Sequence, residues 1–142
     1  MASFQLEIVT AERIVYSEQV ALLVAPGTDG ELGILPNHSP LLTTLKAGEI
    51  CVEQNDERNY IAVTGGFLEV IGNKATILAD TAEYADEINE ERAEEAMKRA
   101  EQRVESSTSA MDLERAVAAM RRSQVRLRVA RRKRTSNSTS RS

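Results

Sequence analysis

Three arginines in the C-terminal third of the chain, Arg115, Arg122 and Arg126, are spaced to share one side of a helix. At about 100° per residue they lie within about 20° of one line, and Asp112 lies about 60° away. Forked guanidinium donors suit phosphates or clustered carboxylates. No acidic residue follows Glu114 to neutralise this arginine stripe. The stripe therefore predicts an anionic partner; the alternative is a solvated helix face.

Elsewhere, residues that could support catalysis or metal binding lack the partners they would need. The glycine-rich run 27–33 is not followed by Gly-Lys-Ser/Thr, so we expect no phosphate loop there. The single histidine, His38, precedes Ser39, but nothing marks the third member of a hydrolytic triad. The acidic residues between Glu83 and Glu95 lack the pattern of a calcium loop. We therefore predict no catalytic residue, no metal site and no required cofactor.

Charge is divided unevenly along the chain. The net charge is −4, but residues up to Glu114 carry 22 acidic and 8 basic side chains, whereas residues from Arg115 onward carry 10 basic and no acidic ones. Such segregation indicates an acidic partner for the basic part. One alternative is a nucleic-acid-binding module that uses the Arg-rich helix. Two Phe, three Tyr and no Trp leave little for base stacking, which disfavours that alternative.

The elements that must carry these residues are of two kinds, and the first is a series of strands. Apolar residues alternate with a period of two, and turn-forming residues interrupt them about every ten residues. This pattern predicts an antiparallel sandwich, with Cys51 buried as a small apolar residue. The alternating positions are Phe4, Leu6, Ile8, Val20, Leu22, Val24, Ile50, Val52, Ile61, Val63, Leu68, Val70 and Ile77.

The second kind is helical. After Tyr84 the chain contains no Gly or Pro, and Asn89 can cap a first helix. A polar segment at 106–109 ends that helix, and Ser109 with Asp112 forms a capping-box-like start for a second one. Two helices joined by so short a turn should form an antiparallel hairpin. Its seam should be largely alanine, which buries little apolar area and holds the hairpin weakly.

These patterns divide the chain into three expected parts. Residues 1–85 should form a β-sandwich, residues 86–131 a helical hairpin, and residues 132–142 a disordered basic tail. There is no run of about 18 apolar residues and no basic, apolar secretory start, so we expect a soluble protein.

Several runs resemble the epsilon subunit of bacterial and chloroplast ATP synthases. They are GELGILPNHSPLLT at 30–43, GGFLEV at 65–70 and TILAD at 76–80, and the resemblance extends from about Phe4 to Leu127. It implies a ten-stranded β-sandwich that binds the gamma subunit and the c-subunit ring, followed by an α-helical hairpin. In this family the loop of the Glu31 type faces the ring, so the resemblance implies a contact through Glu31, Leu32 and His38.

Epsilon subunits, which this sequence resembles, also share a motif, Ile/Leu-Asp-x-x-Arg-Ala. In some members this motif is associated with ATP binding to the folded hairpin. Residues 111–116 read Met-Asp-Leu-Glu-Arg-Ala, with methionine in the first position. The resemblance thus implies regulatory ATP, or inhibitory contacts with acidic segments of the catalytic alpha and beta subunits. The residues expected at this site are Asp112, Arg115, Ala116, Arg122 and Arg126.

The function implied is that of a non-catalytic rotor subunit in the central stalk of a proton-translocating ATP synthase. Such a subunit links gamma to the c-ring, and its C-terminal helices inhibit ATP hydrolysis. It binds no nucleic acid and meets the membrane only through the complex. The expected location is the cytoplasmic face of a bacterial plasma membrane, or the stromal face of the thylakoid if the subunit is plastid-encoded.

Overall fold

The computed structural model describes residues 2–140, with side chains for residues 2–132. Two compact units divide between Tyr84 and Ala85. The first unit contains ten strands and the second a short 3₁₀ turn and two helices. The strands are β1 (Phe4–Val9), β2 (Ile14–Val20), β3 (Leu22–Gly27), β4 (Gly30–Ile34), β5 (Leu41–Leu45), β6 (Gly48–Gln54), β7 (Glu57–Val63), β8 (Gly66–Ile71), β9 (Lys74–Ala79) and β10 (Ala82–Tyr84).

The strands form one continuous sheet that folds into a sandwich, which confirms the predicted fold class. The strand order is β10-β7-β6-β3-β5-β8-β9-β1-β2, and β4 lies off this path, paired with residues 23–27 of β3. One neighbouring pair, β1 with β9, is parallel, whereas the others are antiparallel. Alternation reports which face a side chain occupies and not the direction of the neighbouring strand, so this pairing was not foreseen.

The core lies between the inner faces of the strands, and its largest fully buried side chains include Leu6, Ile8, Leu23, Ile50, Ile61, Leu68 and Ile77. In β3 the observed alternation is displaced by one residue from the expected one. Leu23 and Ala25 are fully buried, whereas Leu22 and Val24 are partly exposed. Cys51 is also partly exposed, contrary to expectation. Its neighbours Ile50 and Val52 point into the core, so a period of two turns Cys51 to the other face.

Two tyrosines join the ends of the strand path. The Tyr84 hydroxyl on β10 donates a hydrogen bond of 3.2 Å to the carbonyl oxygen of Val15 on β2. The rings of Tyr84 and Tyr16 pack with centroids 6.2 Å apart. Burial raises the pKa of Tyr16 to about 12, because a phenolate there would lose its water, and the nearby Tyr84 and Glu18 add to the effect.

The second unit begins with the 3₁₀ turn at Ala85–Glu87, continues with α1 (Glu90–Ser106) and ends with α2 (Ala110–Ser140). Both predicted caps are present. The Asn89 side-chain oxygen accepts a hydrogen bond of 3.0 Å from the Arg92 amide, and the Ser109 hydroxyl accepts one of 3.1 Å from the Asp112 amide. Each cap satisfies a backbone donor that has no partner inside its helix, so both helices start where the sequence predicts.

The hairpin is antiparallel, and alanine is prominent among its buried residues, as predicted. Arg131 near the end of α2 contacts Glu90 and Glu94 in the first turns of α1. The alanines buried in the two helices are Ala93, Ala100, Ala116 and Ala130. The backbone of α2 is helical to Ser140, although a disordered tail was expected at 132–142; side chains beyond residue 132 lie outside the described part of the chain. Within residues 2–140, no helix has both the length and the apolar character to cross a membrane.

The raised pKa of Tyr16 predicts a loss of stability at high pH. The unfolded chain ionises tyrosine near the ordinary value of 10.0, while folded Tyr16 ionises only near 12. Stability from this residue is therefore full below pH 10 and lost as pH rises toward 12, by about 2–3 kcal/mol. Urea unfolding across this range should show a shallower loss for Tyr16→Phe than for the parent. Parallel curves for Tyr16→Phe and the parent would contradict the prediction.

Candidate functional site

The residues expected at the ring contact lie at both ends of β4. Glu31 is exposed and Leu32 half-buried, and both lie near the turn between β3 and β4. The His38 loop, residues 35–40, follows the other end of the strand. At about 3.3 Å per residue, Glu31 lies about 10 Å from Ile34, after which the loop begins. The residues expected at the ring contact therefore lie at two separate places rather than in one cluster.

Within its loop, His38 is half-buried, and its Nδ1 atom lies 2.7 Å from the carbonyl oxygen of Ser39. Asn37 has a positive φ of 63° directly after Pro36. A proline followed by an Asn with positive φ is the arrangement that type II turns favour. The turn therefore fixes the direction in which the chain presents His38.

An exposed apolar row crosses four strands on the outer face of the sheet and was not singled out from the sequence. Phe67 on β8 is opposite Leu78 on β9, Leu78 is opposite Val9 on β1, and Val9 is opposite Ile14 on β2. Phe67, Leu78 and Ile14 are 52%, 55% and 63% exposed. Opposite side chains lie about 5 Å apart, so this outer row forms a continuous apolar strip of the kind found at protein interfaces.

Three further apolar side chains lie beside the outer row or in the His38 loop. Leu42 on β5 and Ile71 at the end of β8 point to the same outer face, and Leu35 lies in the loop; all three are largely exposed. The signal for both groups was present in the sequence. Phe67 and Leu78 are out of phase with the core residues next to them, so both sheet faces carry apolar side chains at this point.

The structure does not gather the expected hairpin residues into one pocket. Ala116 is buried, which gives it a packing role, while Asp112, Arg115 and Arg122 are exposed and Arg126 is partly buried. At about 1.5 Å per residue, Asp112 and Arg126 lie about 21 Å apart along α2. The arginine stripe is therefore an extended surface, better matched to a row of carboxylates than to one phosphate group.

The side of α2 opposite the arginines is only partly buried. Val117, Met120 and Leu127 are partly buried, but Leu113 and Gln124 are exposed. The small residue Ala116 is buried, because a close approach of two helices favours side chains that take little space.

A groove with a volume of about 470 Å³ lies between the helices on another side of α2. Its apolar floor comes from Met97 and Leu127, and its rim carries Arg128 and Arg131. Arg131 Nε lies 3.6 Å from Glu90 Oε1, and its Nη2 lies 3.4 Å from Glu94 Oε1. These contacts compensate part of the positive charge at this end of the hairpin.

The spacing of the ATP-associated motif occurs a second time, at the start of α1. Residues 88–93 read Ile-Asn-Glu-Glu-Arg-Ala, with asparagine in place of aspartate. Ile88 and Ala93 are buried, and Asn89 is the helix cap. This run lies at the same end of the hairpin as Arg126, because Glu90 and Glu94 contact Arg131. This run was not predicted, because asparagine stands where the motif has aspartate; the spacing of its isoleucine, arginine and alanine was the signal for it.

Among the described side chains, no group of three or more His, Cys, Asp or Glu residues is placed to hold a metal ion.

Two protein-family models match the chain and divide it as the structure does. The model described as "ATP synthase, Delta/Epsilon chain, beta-sandwich domain" matches residues 3–85, and "ATP synthase, Delta/Epsilon chain, long alpha-helix domain" matches residues 86–131. The fold and these matches define a two-domain stalk chain of the delta/epsilon class.

Curated relatives identify which member of this class the chain resembles. The ATP synthase epsilon chain of Herpetosiphon aurantiacus is 55% identical over 126 residues, which cover 89% of this chain and 93% of the relative. The epsilon chain of Desulforamulus reducens is 49% identical, with 89% and 96% covered. The chain belongs to the ATP synthase epsilon chain family, as the sequence resemblance indicated. The nucleic-acid-binding alternative finds no support in these matches.

Solved structures share the fold at low sequence identity. A cryo-EM structure of the Euglena gracilis mitochondrial ATP synthase contains a chain that matches with a TM-score of 0.78 and 21% identity, covering 87% of this chain and 79% of that one. A central-stalk and c-ring structure of the Tetrahymena thermophila mitochondrial ATP synthase contains a chain that matches with a TM-score of 0.61 and 17% identity, covering 87% and 91%. The two-part architecture is thus shared with distant mitochondrial chains.

Proposed function

We propose that the β-sandwich connects the gamma subunit of the ATP synthase to the c-subunit ring, and that the helical hairpin restrains ATP hydrolysis. The observation that carries this proposal is the outer row, because a sandwich with a complete core has no internal use for it. Rotation transmits torque through the stalk, so the sandwich needs two firm surfaces that face different partners. The outer row and the two ends of β4 supply them.

The outer row suits the gamma subunit. It is apolar and continuous across four strands, and burial of such a surface stabilises an interface by about 25 cal/mol per Å² of apolar area removed from water. Polar residues flank it on the same sheet face, among them Glu7 and Thr76, which are opposite each other on β1 and β9. An apolar centre with a polar rim is the usual anatomy of a specific protein interface.

The two ends of β4 suit the c-subunit ring. The resemblance to the epsilon family assigns Glu31, Leu32 and His38 to this contact, and the ring presents polar loops at the membrane surface. Exposed Glu31 and half-buried His38 can hydrogen-bond such loops without being needed for the core. The subunit would then lie on the cytoplasmic face of a bacterial plasma membrane, or the stromal face of a thylakoid, and meet the membrane only through the complex.

The arginine stripe suits acidic segments of the catalytic alpha and beta subunits. Arg115 and Arg126 are about 17 Å apart along α2, so an extended row of carboxylates can contact them together. This contact requires the hairpin to leave its folded form and extend. Four of the six buried residues in the described part of the two helices are alanines, and Val125 and Val129 are the other two. Closing therefore buries a modest apolar area, and a partner can compete with the folded form.

ATP would oppose inhibition by favouring the folded hairpin. Two runs fit the associated motif, 111–116 on α2 and 88–93 at the start of α1, and the second shares its end of the hairpin with Arg126. A ligand at about 100 times its dissociation constant stabilises the state it binds by about 2.7 kcal/mol. That is enough to move a weakly held hairpin from mostly extended to mostly folded.

Removing the apolar side chains of the outer row should weaken gamma binding and leave the fold intact. Phe67→Ser with Leu78→Ser changes side chains that are mostly exposed, so the unfolding free energy should change by less than about 1 kcal/mol. Binding to purified gamma should weaken at least tenfold by calorimetry. The neighbouring core substitution Leu68→Ala is the control for stability and should cost about 2–5 kcal/mol. Unchanged gamma affinity in the double variant would reject the outer row as the interface.

Replacing Glu31 and His38 should loosen attachment to the ring. Each lies at a different end of β4, so Glu31→Gln and His38→Ala should each weaken binding to detergent-solubilised c-ring, and the double variant should show roughly the product of the two effects. The melting temperature should stay within a few degrees of the parent, because neither side chain belongs to the core. A large drop in melting temperature would make the two residues structural instead.

Substituting the arginine stripe should relieve the inhibition of ATP hydrolysis. An Arg115, Arg122, Arg126 triple alanine variant should raise ATP hydrolysis by the assembled complex, because the carboxylate contacts are lost. Matched replacement of Arg121 and Arg128, which face elsewhere on α2, should leave inhibition in place. Unchanged inhibition in the triple variant would reject the electrostatic mechanism.

Calorimetry with ATP on the isolated subunit then decides between the two motif runs. Arg92→Ala should abolish the binding heat if the start of α1 holds the nucleotide, and Arg115→Ala should do so if residues 111–116 hold it. Arg126→Ala tests whether the neighbouring part of the stripe contributes. No heat at millimolar ATP in the parent would remove the sensing role and leave the inhibitory one standing.

A further inference from the structure

Asn73 lies in the tight turn between β8 and β9. Ile71 pairs with Lys74, and the two residues between them, Gly72 and Asn73, have φ values of 57° and 58°. A two-residue hairpin of this kind requires positive φ at both central positions, which Gly and Asn tolerate best. The turn therefore explains why an asparagine is acceptable here, but it does not require the Asn73 side chain to form any hydrogen bond.

The Asn73 side chain nevertheless reaches two other segments. Its Oδ1 atom accepts a hydrogen bond of 2.7 Å from the Asn37 amide in the His38 loop, and its Nδ2 atom donates one of 3.1 Å to the carbonyl oxygen of Ser3, just before β1. Within residues 2–140, the bond to Asn37 is the one hydrogen bond that joins residues 35–40 to another segment. We call the Asn73 side chain with these two bonds the carboxamide clamp.

A second turn in the same sandwich shows that such a clamp does not follow from turn geometry. Between β6 and β7, Gln54 pairs with Glu57, and the central residues Asn55 and Asp56 have φ values of 53° and 63°. The turn type is the same, but its asparagine is the first central residue, whereas Asn73 is the second. In the described part of the chain, the Asn55 side chain forms no hydrogen bond to another segment. The clamp is therefore specific to the turn beside the His38 loop.

We infer that Asn73 is a positioning residue for the ring contact, whose carboxamide clamp holds residues 35–40 in the conformation that presents His38. This inference rests on the ring contact proposed above. A loop that is already ordered binds without the entropy loss of ordering, so releasing the clamp weakens binding through the loop. The clamp acts at the backbone of Asn37, the residue whose positive φ turns the chain into His38.

The test uses the full chain with Asn73→Gly, and with Asn55→Gly in the other two-residue turn as the control. Glycine retains the positive φ that both turns need, so only the Asn73 variant loses bonds to other segments. Loss of one hydrogen bond of ordinary strength changes an opening equilibrium about fivefold. Amide exchange at Asn37 should therefore be about fivefold faster in Asn73→Gly, and affinity for detergent-solubilised c-ring should be about fivefold weaker. Asn55→Gly should match the parent in both measurements.

A third variant separates the two bonds of the clamp. Asn73→Asp tolerates positive φ and keeps an oxygen that accepts from Asn37, but it loses the donor to Ser3. Asn37 exchange should stay slow and ring affinity should stay near that of the parent. Melting temperatures of all three variants check that the sandwich is folded.

The outcomes are distinct for the inference and for the function on which it rests. Unchanged Asn37 exchange in Asn73→Gly would overturn the clamp, and faster exchange with unchanged ring affinity would overturn its positioning role. If His38→Ala weakens ring binding and Asn73→Gly does not, the ring contact stands and the inference fails. If neither His38→Ala nor Glu31→Gln affects ring binding, the proposed ring contact itself is rejected.

Discussion

Burial of the inner strand faces is the constraint on which the sandwich depends, and a single sheet can satisfy it only by folding over until its ends meet. Parallel insertion of β1 between β9 and β2 brings the start of the chain beside its last long strand. Tyr84 then connects β10 to β2 through the carbonyl oxygen of Val15. Because the core is complete within residues 2–84, the outer face is left free to serve a partner.

Features that depend on residues close together in the sequence were mostly predicted, whereas features that depend on distant residues were not. Asn89 and Ser109 cap their helices as expected, because capping depends on residues within one turn. The parallel pairing of β1 and β9 joins segments about seventy residues apart, and alternation contains no information about it. The displaced register of β3 has a related cause: both of its faces are apolar, so the pattern alone could not decide whether Leu22 or Leu23 points inward.

The types of residue at the candidate site could be predicted from the sequence, but their arrangement between the two helices could not. The arginine stripe of α2 follows from spacing along one helix, and these arginines do lie on one helix in the structure. The sequence of one helix does not reveal which of its residues lie beside which residues of the other helix. The contacts of Arg131 with Glu90 and Glu94 show this alignment. They bring the start of α1 beside the far end of α2, away from Asp112. The outer row was not predicted for another reason. The alternation was used to find buried residues, and apolar residues in the opposite phase, such as Phe67, were not considered.

The alanines buried in the hairpin bear on the speed of the opening proposed above. Alanine has no side-chain rotamers, so where the helices meet through Ala93, Ala100 and Ala116 no side chain has to find a new conformation when they separate. Val125 and Val129 of α2 are also buried, but each has a single, stiff χ1 angle. Rigid-body motion of the helices, on the microsecond to millisecond scale, would then be the slowest step of opening.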